Sequence, residues 1–156
     1  MTKKAAFPPS PHSSPQKEER ILQVKGKWLD LIRKGEKRIE VRGTSAELGP
    51  LWLGEKGYIK AWARIVRVER VLNIDQFQSR ERDHCVVVAD TTLPYNRTHF
   101  WHLEEVFALP TAVQYKVKTG PVVWTRFAVA DSAKSNAAHL PTRCGRSKKS
   151  SSRTRV

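Results

Sequence analysis

Hydrophobic side chains recur along this chain with two different periods. Trp28, Leu31 and Ile32 follow the i, i+3, i+4 spacing of one helical face, which predicts a short helix over residues 26–34. Gly35 follows directly and can adopt the left-handed conformation that ends a helix. After this glycine the apolar period changes to two, so a strand is predicted to leave the helix at once.

The same alternation predicts strands through most of the remaining core. A short first strand is expected at residues 21–24 and a long strand at residues 58–70. Within the long strand the apolar face changes parity between Ile65 and Val66, which predicts a bulge at a corner of a small barrel. The other predicted features are a helix capped by Asn73 over residues 74–84, strands at 99–109 and 121–129, and loops at Pro94 and Pro110.

The two ends of the chain lack such periodicity. Residues 1–20 contain four prolines and several serines, and residues 131–156 are rich in Ser, Lys and Arg. Neither end can bury enough apolar surface to offset the entropy of ordering, so both are predicted to be disordered tails. They flank one predicted domain at residues 21–130, a length that suffices for a single core.

The chain is strongly basic, with a formal net charge of +14 over 156 residues. Residues 21–127 hold +6 of this charge and the two ends hold the rest. A basic tail raises salt-sensitive affinity for any polyanion, and it fits a merely solubilising extension equally well. Cys85 and Cys144 do not make a disulfide framework, and no apolar run resembles a signal peptide or a membrane span. We therefore expect an intracellular, cytoplasmic protein without a membrane partner.

The densest group of ionisable side chains comes directly after the predicted helix. Five of them occupy the eight positions 35–42: Glu36, Lys37, Arg38, Glu40 and Arg42. Guanidinium groups can hold phosphate with two hydrogen bonds or stack on a base, so Arg38 and Arg42 are candidate ligand contacts. A solvated strand face gives the same pattern. In an ideal strand Lys37 and Glu40 face opposite ways, and they converge only if Lys37 lies in the turn before the strand.

This stretch resembles the signature of the ASCH family (activating signal cointegrator homology), a Gly-x-Lys-x-x-Glu-x-Arg pattern that here comprises Gly35, Lys37, Glu40 and Arg42. Similar blocks at residues 57–61, 99–103 and 115–124 extend the resemblance over roughly residues 21–127. The resemblance implies a PUA-like small β-barrel, which is an α+β, mainly β fold with two or three short helices. Family members are proposed to bind RNA or other nucleic acid, and some resemble amidohydrolases of modified nucleosides or ribonucleases.

These implications lead to a first functional hypothesis. We expect a cationic cleft that binds RNA, other nucleic acid or a nucleotide-like small molecule. Lys116 lies in a basic, aromatic stretch before Gly120 that would form one lip of this cleft. The expected ligand contacts are Lys37, Arg38, Glu40, Arg42 and Lys116.

A second hypothesis is a small hydrolase. Lys37 aligns with the catalytic lysine of the amidohydrolase-like members, and a partly desolvated lysine has a lowered pKa that suits a base or nucleophile. Those enzymes carry a threonine where this chain has Glu40, and their acidic partner corresponds to Glu81 or Asp83. A third hypothesis is a coactivator-like protein-interaction module that is targeted by its basic tail.

Other residue types with chemical potential have simpler explanations. Four tryptophans could stack on unpaired bases, but their places in amphipathic segments are typical of core residues: Trp28, Trp62, Trp101 and Trp124. The spacings of His84, Cys85, His99 and His102 match no zinc signature, and no glycine-rich phosphate loop is present. We therefore expect neither a metal nor a cofactor.

Overall fold

The computed structural model describes residues 14–120 and 123–129. The elements within this part are β1 (Arg20–Gln23), α1 (Gly26–Arg33), β2 (Ile39–Arg42), β3 (Gly49–Glu55), β4 (Tyr58–Arg70), α2 (Ile74–Gln78), α3 (Glu81–His84), β5 (His99–Gln114) and β6 (Trp124–Arg126). The described strands form one curved sheet in the order β2–β5–β4–β3–β1–β6. β1 and β3 pair in parallel and the other neighbours are antiparallel. The predicted α+β, mainly β, barrel-like fold is confirmed.

Helix α1 packs on the sheet through a face that differs in part from the prediction. Leu29 and Ile32 are its buried residues, whereas Trp28 and Leu31 are only half-buried. The helix ends at Arg33, and Gly35 has a φ of +78°, as expected for a glycine that terminates a helix. The buried face of the helix is therefore formed by Leu29 and Ile32, and not by Trp28, Leu31 and Ile32 as predicted.

The long strands β4 and β5 bend the sheet. Their register shifts between Ile65 and Arg67, where the sequence changes its apolar parity, so the predicted bulge is confirmed. Pro110 was expected in a loop, but it lies inside β5. Ile59 pairs with Val113 and Ala61 with Ala108, so this proline falls in an irregular stretch of the ladder that does not need its missing N–H.

Strand β3 was missing from the sequence interpretation. Leu51, Trp52 and Leu53 are buried in succession, so the strand lacks the alternation that identifies one exposed face. Leu51 and Leu53 pack into the core beneath α1, while Trp52 packs with Ile21 in a second cluster on the other face. Both faces of the central sheet are thus covered.

The predicted helix at residues 74–84 is split in two. Asn73 Oδ1 accepts a hydrogen bond from the Gln76 N–H at 2.9 Å, which confirms the predicted cap, but α2 ends at Gln78. A turn leads into α3, whose last residue, His84, is buried between Phe77 and Phe100. This turn brings the end of α3 close to the start of β2.

The N-terminal boundary of the folded part lies before residue 20. The Glu18 N–H donates to the Phe127 carbonyl at 3.1 Å, and the Trp52 indole N–H donates to Glu19 at 2.8 Å. Part of the segment that was assigned to the tail therefore packs on the sheet. The rest of that segment and the predicted C-terminal tail at 131–156 lie outside the described residues. Within the described residues, no helix is long and apolar enough to cross a membrane.

Candidate ligand-binding cavity

Lys37 lies in the turn between α1 and β2, which is the position that allows it to meet Glu40. The Lys37 N–H donates to the Leu31 carbonyl at 3.1 Å, so the chain folds back on the helix end before β2 starts at Ile39. Glu40 and Arg42 are two residues apart on β2 and therefore share a face. The structure brings these three side chains together.

The Lys37 ammonium is almost completely buried, with 1% of the side chain exposed. Its Nζ donates to the His84 carbonyl at 2.6 Å and lies 3.5 Å from Glu40 Oε2. It also lies 5.1 Å from the ring centroid of Trp28. A carbonyl, a carboxylate and an aromatic face thus surround this cation.

The other oxygen of Glu40 faces Arg42. Arg42 Nε lies 2.8 Å from Glu40 Oε1, although its alignment falls short of a hydrogen bond. The Nη2 atom of Arg42 donates to the Gln23 carbonyl at 2.7 Å. One buried carboxylate therefore separates two cations, and β1 and α3 hold these cations through backbone carbonyls.

Burial is the main influence on the ionisation of Lys37. It lowers the pKa of Lys37, and Arg42 acts in the same direction, whereas Glu40 and Cys85 raise it. Burial likewise lowers the pKa of His84. The His84 ring accepts the Val86 N–H at Nδ1, at 3.0 Å, and its Nε2 lies 2.8 Å from the Phe77 carbonyl, an arrangement that fits the neutral Nε2–H tautomer.

The network lies in the wall of a cavity of about 470 Å³. Its apolar and aromatic lining comprises Val24, Trp28, Val41, Val86, Pro94 and Tyr95. The polar lining beside the network comprises Gln23, Lys25, Glu55 and Lys56. This size and this mixture of an apolar wall with a few polar groups are typical of a small-ligand site.

Two of the residues predicted from the sequence lie elsewhere. Arg38 is exposed and lines a neighbouring cavity, which shares only Lys37 with the 470 Å³ cavity. Lys116 is absent from the lining of the 470 Å³ cavity, and its backbone N–H donates to the Ala128 carbonyl at 3.0 Å. Ligand contact by Arg38 or Lys116 stays a prediction.

Several residues of the cavity were not identified from the sequence. Lys56 and Gly57 both have positive φ values, of 49° and 85°, and they form the tight turn between β3 and β4. A glycine between two apolar segments is a turn signal that could have identified this hairpin. Lys25 and Tyr95 reach the cavity only through long-range packing, which no local pattern indicates. Glu81 and Asp83, the candidate acidic partners, are outside the lining.

The fold of the described residues is similar to that of solved ASCH proteins. Two crystal structures of mutant ZmASCH proteins from Zymomonas mobilis share this fold, each with a TM-score of 0.57 and 12% sequence identity. The alignments cover 74% and 72% of this chain and 92% and 91% of the ZmASCH chains. No protein-family model and no curated protein matches the sequence. The expected resemblance is confirmed at the level of the fold.

Proposed function

We propose that the 470 Å³ cavity binds a single unpaired nucleotide, and that the protein is an RNA-binding ASCH-type domain. The observation that carries this proposal is the buried network of Lys37, Glu40 and Arg42 in the wall of a partly aromatic cavity. Pockets that bind small molecules generally have volumes of about 300–1,000 Å³. A base with its sugar therefore fits the available space.

The cavity offers an apolar surface for a base. Trp28 and Tyr95 are both in its lining, and each aromatic contact with a base typically contributes about 1–3 kcal/mol. Lys27 Nζ lies 4.2 Å from the centroid of the Trp28 ring. A cation–π contact at an exposed site is worth only about 0.5–1 kcal/mol, so a stacking base can displace it.

Glu40 supplies selectivity that the cations lack. Each of its oxygens faces one cation but has further lone pairs, so the carboxylate can accept a hydrogen bond from an amino group of a base or from a ribose hydroxyl. Lys25 and Lys56 are exposed members of the lining and are suited to contact the phosphates. The ribose hydroxyl is the group that would distinguish RNA from DNA.

A binding assay with full-length protein tests this proposal. Fluorescence anisotropy is measured with a short single-stranded RNA and with the DNA of the same sequence, for the natural chain, for Arg42→Gln and for Arg67→Gln. Arg67 is a matched control because it is an exposed strand arginine that is ion-paired to Glu69. We expect Arg42→Gln to weaken RNA binding about tenfold, while Arg67→Gln changes it less than twofold. Equal losses would assign the affinity to general electrostatics and refute the proposal.

One observation favours a second function, hydrolysis of a modified nucleoside. The Lys37 amine is buried beside the cavity and its pKa is lowered by that burial, as a catalytic base or nucleophile requires. Incubation with a nucleoside whose base carries an amide, followed by chromatography, tests this function. Turnover that is lost in Lys37→Met while the far-UV spectrum is retained would support it. An inactive natural protein would exclude hydrolysis of this substrate.

A further inference from the structure

A second cavity of about 420 Å³ lies at the edge of the sheet formed by β1 and β6. It shares no lining residue with the Lys37 cavity. Its walls include Arg20, Lys118, Trp124 and Arg126 together with the loop at residues 45–47. Three cations and one carboxylate, Glu47, are therefore gathered around one concave surface.

The strand register forces two of these cations together. Arg20 of β1 pairs directly with Arg126 of β6 in the antiparallel ladder. Like charges directly opposite each other destabilise a sheet unless an opposite charge is placed between them. Glu47 acts against this repulsion, and its influence on the pKa of Arg20 is larger than that of Arg126. Burial lowers the pKa of Arg20, and Arg126 lowers it further while Glu47 raises it.

Arg20 is held in place by neutral groups. Its Nε donates to the Pro50 carbonyl at 3.0 Å, and its guanidinium carbon lies 5.3 Å from the centroid of the Trp124 ring. Trp124 itself stacks on the buried Trp101, with ring centroids 5.5 Å apart and planes at 16°. A guanidinium fixed in this way is ordered before any ligand binds, which reduces the entropy cost of binding.

An adjoining cavity shows where an anion is best accommodated. This cavity of about 310 Å³ shares Arg20, Glu47 and Arg126 but also contains Glu19, so its charges balance. The 420 Å³ cavity lacks Glu19 and contains Lys118, which leaves it with an excess of two positive charges.

We propose that the cavity between Arg20, Lys118 and Arg126 is a phosphate-binding site separate from the nucleotide cavity. Guanidinium and ammonium groups are the side chains that recognise phosphate. The phosphate belongs either to the backbone of a bound RNA or to a free phosphate ester. Gln23 lines the first cavity and Arg20 the second, three residues apart on β1, so the two sites are about 10 Å apart along the strand.

The test is a titration of ¹⁵N-labelled full-length protein with inorganic phosphate at constant ionic strength. The resonance of the Trp124 indole N–H, assigned with Trp124→Phe, reports on this cavity and that of Trp28 reports on the other. We expect a saturable shift at Trp124, weakened about tenfold in Arg126→Gln and in Lys118→Gln, but less than twofold in Arg67→Gln. Both substituted cations are exposed, so these variants are expected to fold.

A shift that grows linearly with phosphate, or that weakens equally in Arg67→Gln, would overturn this proposal. A second arm adds a short single-stranded RNA. If the RNA shifts the Trp124 resonance and phosphate competes with the RNA, the natural ligand is the RNA backbone. If phosphate saturates the site but the RNA does not shift Trp124, the natural ligand is a free phosphate ester. An RNA that shifts Trp28 without any phosphate saturation at Trp124 would refute this site and keep the nucleotide proposal.

Discussion

Glu40 is the position at which a single substitution should be most costly to the folded state. The residue is 5% exposed, and its carboxylate is the anion shared by Lys37, at 3.5 Å, and Arg42, at 2.8 Å. Glu40→Gln keeps the shape of the side chain but leaves two cations facing each other without compensation. Removal of one partner from a buried ion pair typically costs about 3–5 kcal/mol. We expect the free energy of unfolding to fall by this amount.

Replacement of the lysine should be much less costly. In Lys37→Met the buried cation disappears, while Glu40 keeps its contact with Arg42 at 2.8 Å. The His84 carbonyl loses its hydrogen bond, which costs about 1–3 kcal/mol and is partly offset by the apolar methionine beside Trp28. The double variant Lys37→Met/Glu40→Gln should lose less stability than the two single variants lose together, because only Arg42 then lacks its carboxylate.

Urea unfolding of the full-length chain, followed by circular dichroism and tryptophan fluorescence, measures these differences. For urea slopes of about 1–3 kcal/mol per molar, a loss of 3 kcal/mol lowers the midpoint by about 1–3 M. Glu105→Gln is the matched control, because Glu105 lies 2.9 Å from Arg64 but its side chain is 58% exposed. Such surface pairs contribute about 0–1 kcal/mol. If Glu40→Gln and Glu105→Gln cost the same, the reasoning about burial is wrong.

Other parts of the structure give further predictions. Since burial lowers the pKa of His84, the unfolded chain binds more protons than the folded chain between that lowered pKa and the unfolded value of about 6.5. The folded state should therefore lose stability as pH falls through this range, and urea unfolding of His84→Gln should show a smaller loss. Gly54→Ala should cost about 1–3 kcal/mol, because its Cβ would lie 3.0 Å from the Tyr115 ring. Gly26→Ala should cost less although its Cβ would lie 2.6 Å from a carboxylate oxygen, because the flexible Glu55 side chain can move; equal thermal shifts for these two alanine variants would contradict this. Gly35→Ala should lower stability by about 1 kcal/mol through its φ of +78° alone, and an unchanged urea midpoint would exclude such strain.

The parts of this fold that depend on local chemistry were predictable from the sequence. The Asn73 cap, the helix end at Gly35 and the change of parity after Ile65 each have a cause within a few residues, and the structure contains all three. Strand β3 was not predictable in this way, because burial of both faces removes the alternation of Leu51–Leu53. A hydrophobic period of two identifies only those strands that have one face exposed to solvent.

The same difference between local and long-range causes applies to the candidate site. The sequence predicts that Lys37 and Glu40 meet only if Lys37 lies in the turn before β2, and the structure places Lys37 in that turn. The partner that completes the lysine site is the carbonyl of His84, which is 47 residues away and belongs to the backbone. Every residue carries such a carbonyl, so its role follows only from the packing of α3 against β2. Sequence patterns therefore indicate charged side chains but not the backbone groups that orient them.

The identity of residue 40 also bears on the choice between binding and catalysis. A lysine that works as a base or nucleophile must be neutral for part of the time, and burial next to Arg42 favours that form by lowering the pKa of Lys37. Glu40 opposes this, since its carboxylate raises the pKa of the same lysine. A threonine at position 40 would carry no charge and would lack this effect. Glu40 thus holds Lys37 nearer to its charged form, and a fixed cation beside an anion is better suited to holding a polar ligand than to accepting its proton.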